Sequence, residues 1–194
     1  MTELLLASGS IRRKELLDQI GVQYQSQSMD IDESILEDEA PKDYVLRLAR
    51  EKAQAGIETN PNMLVLAADT SVVVAGNILG KPDNDQVAHD MLRQLSGSAH
   101  QVLTGIALAK NINAKLCIES QVVVTEVYFS DLTDHQIEQY IKTSEPMGKS
   151  GAYGIQGKAA LFVERIEGSY SNVVGLPLAE TGKLLERFGV SLWK

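Results

Sequence analysis

VLTGIALAKNINAKLCIESQVVVTEVYF, residues 102–129, decides the fold. Val102 to Ala109 and Leu116 to Phe129 are rich in apolar and β-branched residues, with only a polar turn near Asn111 to Ala114 between them. Strands joined so tightly suggest a mixed sheet, because parallel neighbours would need a crossover helix between them. Elsewhere helical and strand patterns interleave, which favours α/β over a segregated arrangement. The sequence therefore predicts an α/β protein with a mixed central sheet flanked by helices. No repeat, low-complexity tract or long linker divides it, so residues 1–194 read as one domain.

Working outward, Leu4 to Ala7 reads as a short buried strand. Ser8 to Ser10 is the turn into a helix over Ile11 to Ile20, stopped by Gly21. Val22 to Met29 alternates like a strand, and Pro41 opens a helix to about Ile57 with the stripe Val45, Leu48, Ala49 and Ala53. Met63 to Ala68 and Ser71 to Ala75 are two strand-like runs with Asp69 and Thr70 between them. Helices follow over Asn84 to Leu95 and Thr133 to Ile141, with Thr133 as N-cap, then a strand near Ala160 to Ile166 and a helix near Pro177 to Phe188.

The formal charge is -8, from 26 acids against 18 bases. That balance excludes a general binder of long nucleic acids or anionic membranes, which need positive potential over a broad face. The acidity is local. DIDESILEDEAPKD, residues 30–43, holds seven acids and one base, leaving 19 acids and 17 bases elsewhere. Most of these acids read as a solvated loop leading into the helix at Pro41; the alternative reading is that one or two of them face a metal ion or a reacting water, and position in the sequence does not choose between them. The lone Cys117 fits a reducing cytosol, the opening residues reverse the order of a secretory signal, and no apolar run is long enough to span a membrane. The expected location is cytoplasmic.

Several familiar chemistries drop out. His89, His100 and His135 are scattered, without zinc-helix spacing, and read as surface or structural residues. Gly148-Lys149-Ser150 ends like a phosphate-binding loop but has Thr143 where the first glycine belongs. Gly151, Gly154 and Gly157 lack dinucleotide spacing. What remains is LASGSIRR, residues 6–13. There a small-residue turn and a helix start offer backbone N–H groups to an anion, and Arg12 and Arg13 add donors.

Three further charges sit awkwardly. Lys52 lies seven residues after Val45 on an apolar stripe, where it either snorkels outward or lines a cavity. Asp69 lies between two apolar runs, either as the first residue of a turn or as a carboxylate needing a cation. Lys81 precedes Pro82 in an extended loop, where plain solvent exposure would also explain it. Together these residues supply cations for a polyphosphate and two carboxylates, Glu33 and Asp69, for a hard divalent ion and a water. Metal-assisted phosphoanhydride hydrolysis needs that set.

LASGSIRR, DIDES, LAREKA, AADT, LGKP, LSGSAHQVLTGIAL, GAYGIQG and NVVGLPL, in that order, resemble the Maf family of nucleoside triphosphate pyrophosphatases over residues 4 to 188. The resemblance implies an inosine triphosphate pyrophosphatase-like fold with an active-site cleft between two lobes, commonly as a homodimer. It implies a house-cleaning hydrolase that converts a nucleoside triphosphate to the monophosphate and pyrophosphate. On that pattern Asp69 is the general base, Glu33 and Asp69 hold Mg²⁺ or Mn²⁺, and Ser8, Arg13, Lys52 and Lys81 hold the triphosphate.

Arg12, Thr70 and Gln156 resemble the family branch acting on dTTP and UTP. A branch acting on 7-methylguanosine triphosphate resembles a Trp, Gln and Glu set there. One Gln amide complements both the O4 acceptor and the N3–H donor of uracil or thymine, whereas guanine's adjacent donors suit a carboxylate. The family also carries a second association, a nucleotide-binding regulator of cell division and septum formation. Two positions depart from the pattern: Ile11 stands where the family has Pro, and Gly148 replaces the acid of EPMDKAG.

Overall fold

A computed structural model describes residues 3–113 and 115–193. Seven strands are present, β1 (Leu4–Leu6), β2 (Gln25–Ser26), β3 (Leu64–Val74), β4 (Asn77–Leu79), β5 (Ala99–Ile112), β6 (Lys115–Phe129) and β7 (Val163–Glu167). The helices are α1 (Ile11–Gln19), α2 (Pro41–Thr59), α3 (Asp85–Leu95), α4 (Asp134–Ile141), α5 (Tyr170–Val174) and α6 (Leu178–Arg187). The sheet runs β2-β1-β3-β5-β6-β7, with β4 also paired to β3. It is mixed: β1 pairs parallel with β2 and β3, while β3–β4 and β6–β7 are antiparallel. Ala114, at the end of the turn expected between β5 and β6, lies outside the described residues.

Most elements fall where the sequence places them, and the differences have local causes. Asp69 and Thr70 do not form a turn, because β3 runs unbroken through them. β2 is only Gln25–Ser26, both exposed, so the alternation of residues 22–29 mostly marks irregular chain. Lys158–Leu161 forms a 3-10 turn, which delays the last strand to Val163. Ser10 caps α1, and Gly21, expected to stop the helix, adopts φ +67° just beyond it. Ile11 is 71% exposed at the first helical position, so losing the family's proline leaves the helix start in place. Thr133 and Gln136 form a reciprocal capping box on α4.

The chain divides into two compact units, neither continuous in sequence. One takes in residues up to Asp69, Thr104–Val123 and Gly175 onward; the other takes in Thr70–Leu103 and Val124–Val174. The first unit's core joins Leu5 and Ala7 of β1, Val65 and Ala67 of β3, Ala107 and Ala109 of β5, and Ala49, Ala53 and Ile57 of α2. The alternate residues 65, 67 and 69 of β3 share one face, the face that α2 covers. This contact is made largely of small residues, so helix and sheet approach closely. A Cβ at Gly105 would lie 2.2 Å from the Val45 carbonyl oxygen.

The second unit has its own core, built from α3, α4 and an aromatic group of Phe129, Tyr140, Tyr153 and Phe162. His100 is sealed among them at 2% exposure, with its ring edge-on to Phe129 and Tyr153. Its Nε2 lies 2.8 Å from the Tyr153 hydroxyl, and Nδ1 has no partner among the described residues. Burial pulls its pKa down to about 4, so the ring is neutral at physiological pH.

Candidate active site

In the first unit Lys52, Asp69 and Glu33 converge. Periodicity explains it: Lys52 lies two turns beyond Val45 on the sheet-facing side of α2, and Asp69 follows Val65 and Ala67 on the face of β3 beneath. Lys52 Nζ donates to Asp69 Oδ1 at 2.7 Å and lies 2.6 Å from Glu33 Oε1. Lys52 and Asp69 are 8% and 9% exposed, so the lysine does not snorkel and the aspartate is a paired carboxylate within a strand. Glu33 comes from the irregular segment before α2, and its side chain is 42% exposed.

Ser8 and Arg13 form the second group. Ser8 is buried just after β1, and its Oγ accepts from Ser10 N at 3.2 Å and from Arg13 Nη1 at 3.2 Å. With both acceptor directions used, the hydroxyl proton is directed elsewhere. Arg13 Nε donates to the Gly175 carbonyl at 2.8 Å, fixing the guanidinium plane. Burial lowers the Arg13 pKa, the charges of Asp69 and Glu33 partly offset this, and the like charge of Arg12 lowers it further. These charges tie Arg13 electrostatically to the carboxylate pair.

The remaining candidates belong to the second unit. Thr70 follows Asp69 on β3 and is half-buried, Lys81 is exposed just after β4, and Gln156 is exposed in the glycine-rich segment. That segment is well anchored within its unit. Ser150 Oγ donates to the Leu79 carbonyl at 2.5 Å and accepts from Val72 N at 2.9 Å, and Gly151 N donates to the Gly80 carbonyl at 3.0 Å. Gly151 has φ +69°, and a Cβ there would lie 2.8 Å from the Val72 side chain, so only glycine suits it. Glu145 receives Tyr140 Oη at 2.9 Å and Lys158 N at 3.0 Å. Burial alone would raise the Glu145 pKa, but these donors outweigh it and lower it.

Sequence reasoning missed three residues that shape the first unit's site. Tyr44 donates from Oη to the Glu33 carbonyl at 2.9 Å. Arg47 donates to the Ser34 carbonyl at 2.9 Å and grips Glu39 through Nε and Nη2 at 2.6 and 2.8 Å. Only the spacing of Arg47 and Glu51 was readable in advance, and that marks a surface pair; the contact back to Glu39 needs the fold.

Among the described residues no three His, Cys, Asp or Glu side chains gather as a metal site. Glu33 and Asp69 nonetheless suit a hard cation, since two carboxylates already close on one positive centre, the Lys52 ammonium. Magnesium is commonly held by one or two carboxylates together with substrate phosphates and waters, and two is what this unit offers. No helix among the described residues is long and apolar enough to cross a membrane.

Fold and site together define an α/β protein in which a helix lysine lies between two carboxylates, one on the sheet and one on a loop, in a unit that also holds a serine and an arginine at a helix start. It belongs to the Maf family: the family model described as Maf-like protein matches residues 3–188. The chain is 51% identical over 189 residues to the dTTP/UTP pyrophosphatase of Anaeromyxobacter dehalogenans, covering 97% of this chain and 95% of that one. It is 50% identical to the dTTP/UTP pyrophosphatase of Shigella sonnei, covering 97% and 94%. Among solved structures, the Staphylococcus aureus Ham1 protein superposes with a TM-score of 0.51 at 15% identity, covering 96% of this chain and all of that one, which is a likeness of fold.

Proposed function

We propose that this protein is a nucleoside triphosphate pyrophosphatase acting on dTTP and UTP, releasing the monophosphate and pyrophosphate. The observation that carries the reading is the convergence of Glu33 and Asp69 on Lys52. Near-full-length relatives at about 50% identity that bear the dTTP/UTP pyrophosphatase name point the same way.

In this reaction water adds across the α–β phosphoanhydride bond. Its oxygen ends on phosphorus, the bridging oxygen leaves with pyrophosphate, and its proton passes to Asp69. Lys52 binds Oδ1, so accepting that proton falls to Oδ2. Lys52, Arg13 and the Ser8 hydroxyl offset phosphate charge, a role that fixed donors fill at little reorganisation cost. Glu33 and Asp69 are the residues that would hold Mg²⁺ or Mn²⁺. A bound divalent ion would neutralise phosphate oxygens and lower the pKa of a water. The family pattern adds Lys81 as a triphosphate cation, and Arg12, Thr70 and Gln156 as readers of the base. The lone Cys117 fits a cytoplasmic location, and the family resemblance adds a homodimer.

A metal-supplemented screen of canonical and modified nucleoside triphosphates tests the proposal. The expected result is metal-dependent release of pyrophosphate, not orthophosphate, fastest from UTP, dTTP or a modified pyrimidine. Orthophosphate release, or no turnover with any nucleotide, would sink it.

A further inference from the structure

The segment between β2 and α2 has a physical problem. It carries Glu33, yet it has no helix or strand, and its apolar residues Ile35 and Leu36 are 53% and 55% exposed. Met29 packs against the core upstream, but from Glu33 to Glu39 no apolar side chain is buried, so polar contacts must offset the entropy of fixing that stretch of backbone. The side-chain contacts that reach this stretch from outside it come from α2. Tyr44 Oη and Arg47 Nη2, at adjacent turns of α2, donate to consecutive backbone carbonyls, those of Glu33 and Ser34, each at 2.9 Å. Arg47 also clamps the Glu39 carboxylate bidentately, and that side chain is only 7% exposed. Leu36 N donates to the same carboxylate at 3.1 Å, closing the loop on itself. The side chain of Glu33 meets Lys52 of the same helix, so this residue is docked onto α2 by both its backbone and its carboxylate.

We propose that Arg47 and Tyr44, with Glu39 as the counter-charge, are positioning residues that hold Glu33 at the reacting centre. The inference rests on the role given to Glu33 above. Arg47 is suited to it in a way Lys is not, because a planar fork can serve a carboxylate and a carbonyl together. Glu39 is then the second functional acid of the segment, acting through its backbone rather than on substrate.

The test is a double-mutant cycle on full-length protein, using UTP turnover and amide hydrogen exchange. Arg47→Ala should lower kcat/KM about 10²-fold when Glu33 is intact, the scale expected of a misplacement near one ångström. In a Glu33→Ala background the same change should cost less than about twofold, since independent effects add and an effect routed through Glu33 vanishes with it. Exchange of the amides over residues 33–36 should quicken by about tenfold in Arg47→Ala. Equal losses in both backgrounds, or unchanged exchange, would overturn the proposal. If Arg47→Ala does not fold, the Tyr44→Phe, Glu39→Gln double variant replaces it, and wild-type turnover there overturns the idea. Full activity of Glu33→Ala alone would remove the catalytic role of Glu33 while exchange still decides whether the clamp exists.

Discussion

The ammonium of Lys52 sits 2.7 Å from Asp69 Oδ1, with the two side chains only 10% and 12% exposed. A nearly buried cation with one carboxylate on β3 and another, Glu33, on a loop holds two negative charges together that would otherwise repel. Lys52→Met should therefore lower stability by about 3 kcal/mol, the low end for breaking a buried pair, because Glu33 is partly solvated. Added Mg²⁺ or Mn²⁺ should restore part of the loss by taking the cation's place. Thermal unfolding with and without metal checks this: a larger metal-induced rise in Tm for the variant than for wild type is expected, and equal rises would count against it.

Asp69→Asn keeps the shape and removes the charge that accepts a proton. Turnover of UTP should fall by at least about 10²-fold, the lower bound for losing a general base, with nucleotide binding largely kept. Activity near that of wild type would show that another group accepts the proton.

Gln156→Glu replaces an amide that donates and accepts with a carboxylate that only accepts. The ratio of UTP to 7-methylguanosine triphosphate turnover should fall by about tenfold, the worth of one well-made hydrogen bond. An unchanged ratio would take Gln156 out of base selection.

His100 makes stability depend on pH. Its folded pKa is about 4 against an ordinary 6.5, so between these values the unfolded chain takes up a proton that the folded chain refuses. Stability from this residue is fully present above the higher value and is lost as pH falls towards the lower one, on the order of 3 kcal/mol in all. Urea unfolding at pH 7 and pH 5 should show the loss, and His100→Gln should flatten it. An equal slope in the variant would place the dependence on other groups.

Gly105→Ala tests the spacing of α2 on the sheet. The new methyl would meet the Val45 carbonyl oxygen at 2.2 Å, and backbone cannot step aside as a side-chain tip does. A loss of ~1–3 kcal/mol is expected from overpacking, with reduced turnover because Lys52 shares the displaced helix. A variant as stable and as active as wild type would mean the helix has slack.

Much of this was legible in the chain itself. Thr133 and Gly21 announced their helix boundaries because capping is local chemistry. Lys52 and Asp69 were marked by a charge in the wrong place, and each proved to answer the other. The Asp69–Thr70 pair was harder, since Asp at a strand interruption and Asp within a buried strand look alike until the partner is known. Arg47 and Glu39 were hidden for another reason. Both are ordinary surface residues by type, and only the folding back of residues 33–39 onto α2 turns them into a nearly buried ion pair. Local rules find caps and stripes, but they do not find contacts set by an irregular loop.

One helix, α2, carries Lys52 and also the two side chains that grip the backbone at Glu33 and Ser34, whereas Asp69 is built into β3. Helix and loop are thus held together by several contacts, and the strand meets them at Asp69. A slide of α2 over the small residues beneath it would leave the Glu33–Lys52 distance unchanged while opening or closing the gap to Asp69. The two carboxylates are therefore mechanically unequal: one would move with the cation, and the other would measure how far it had moved.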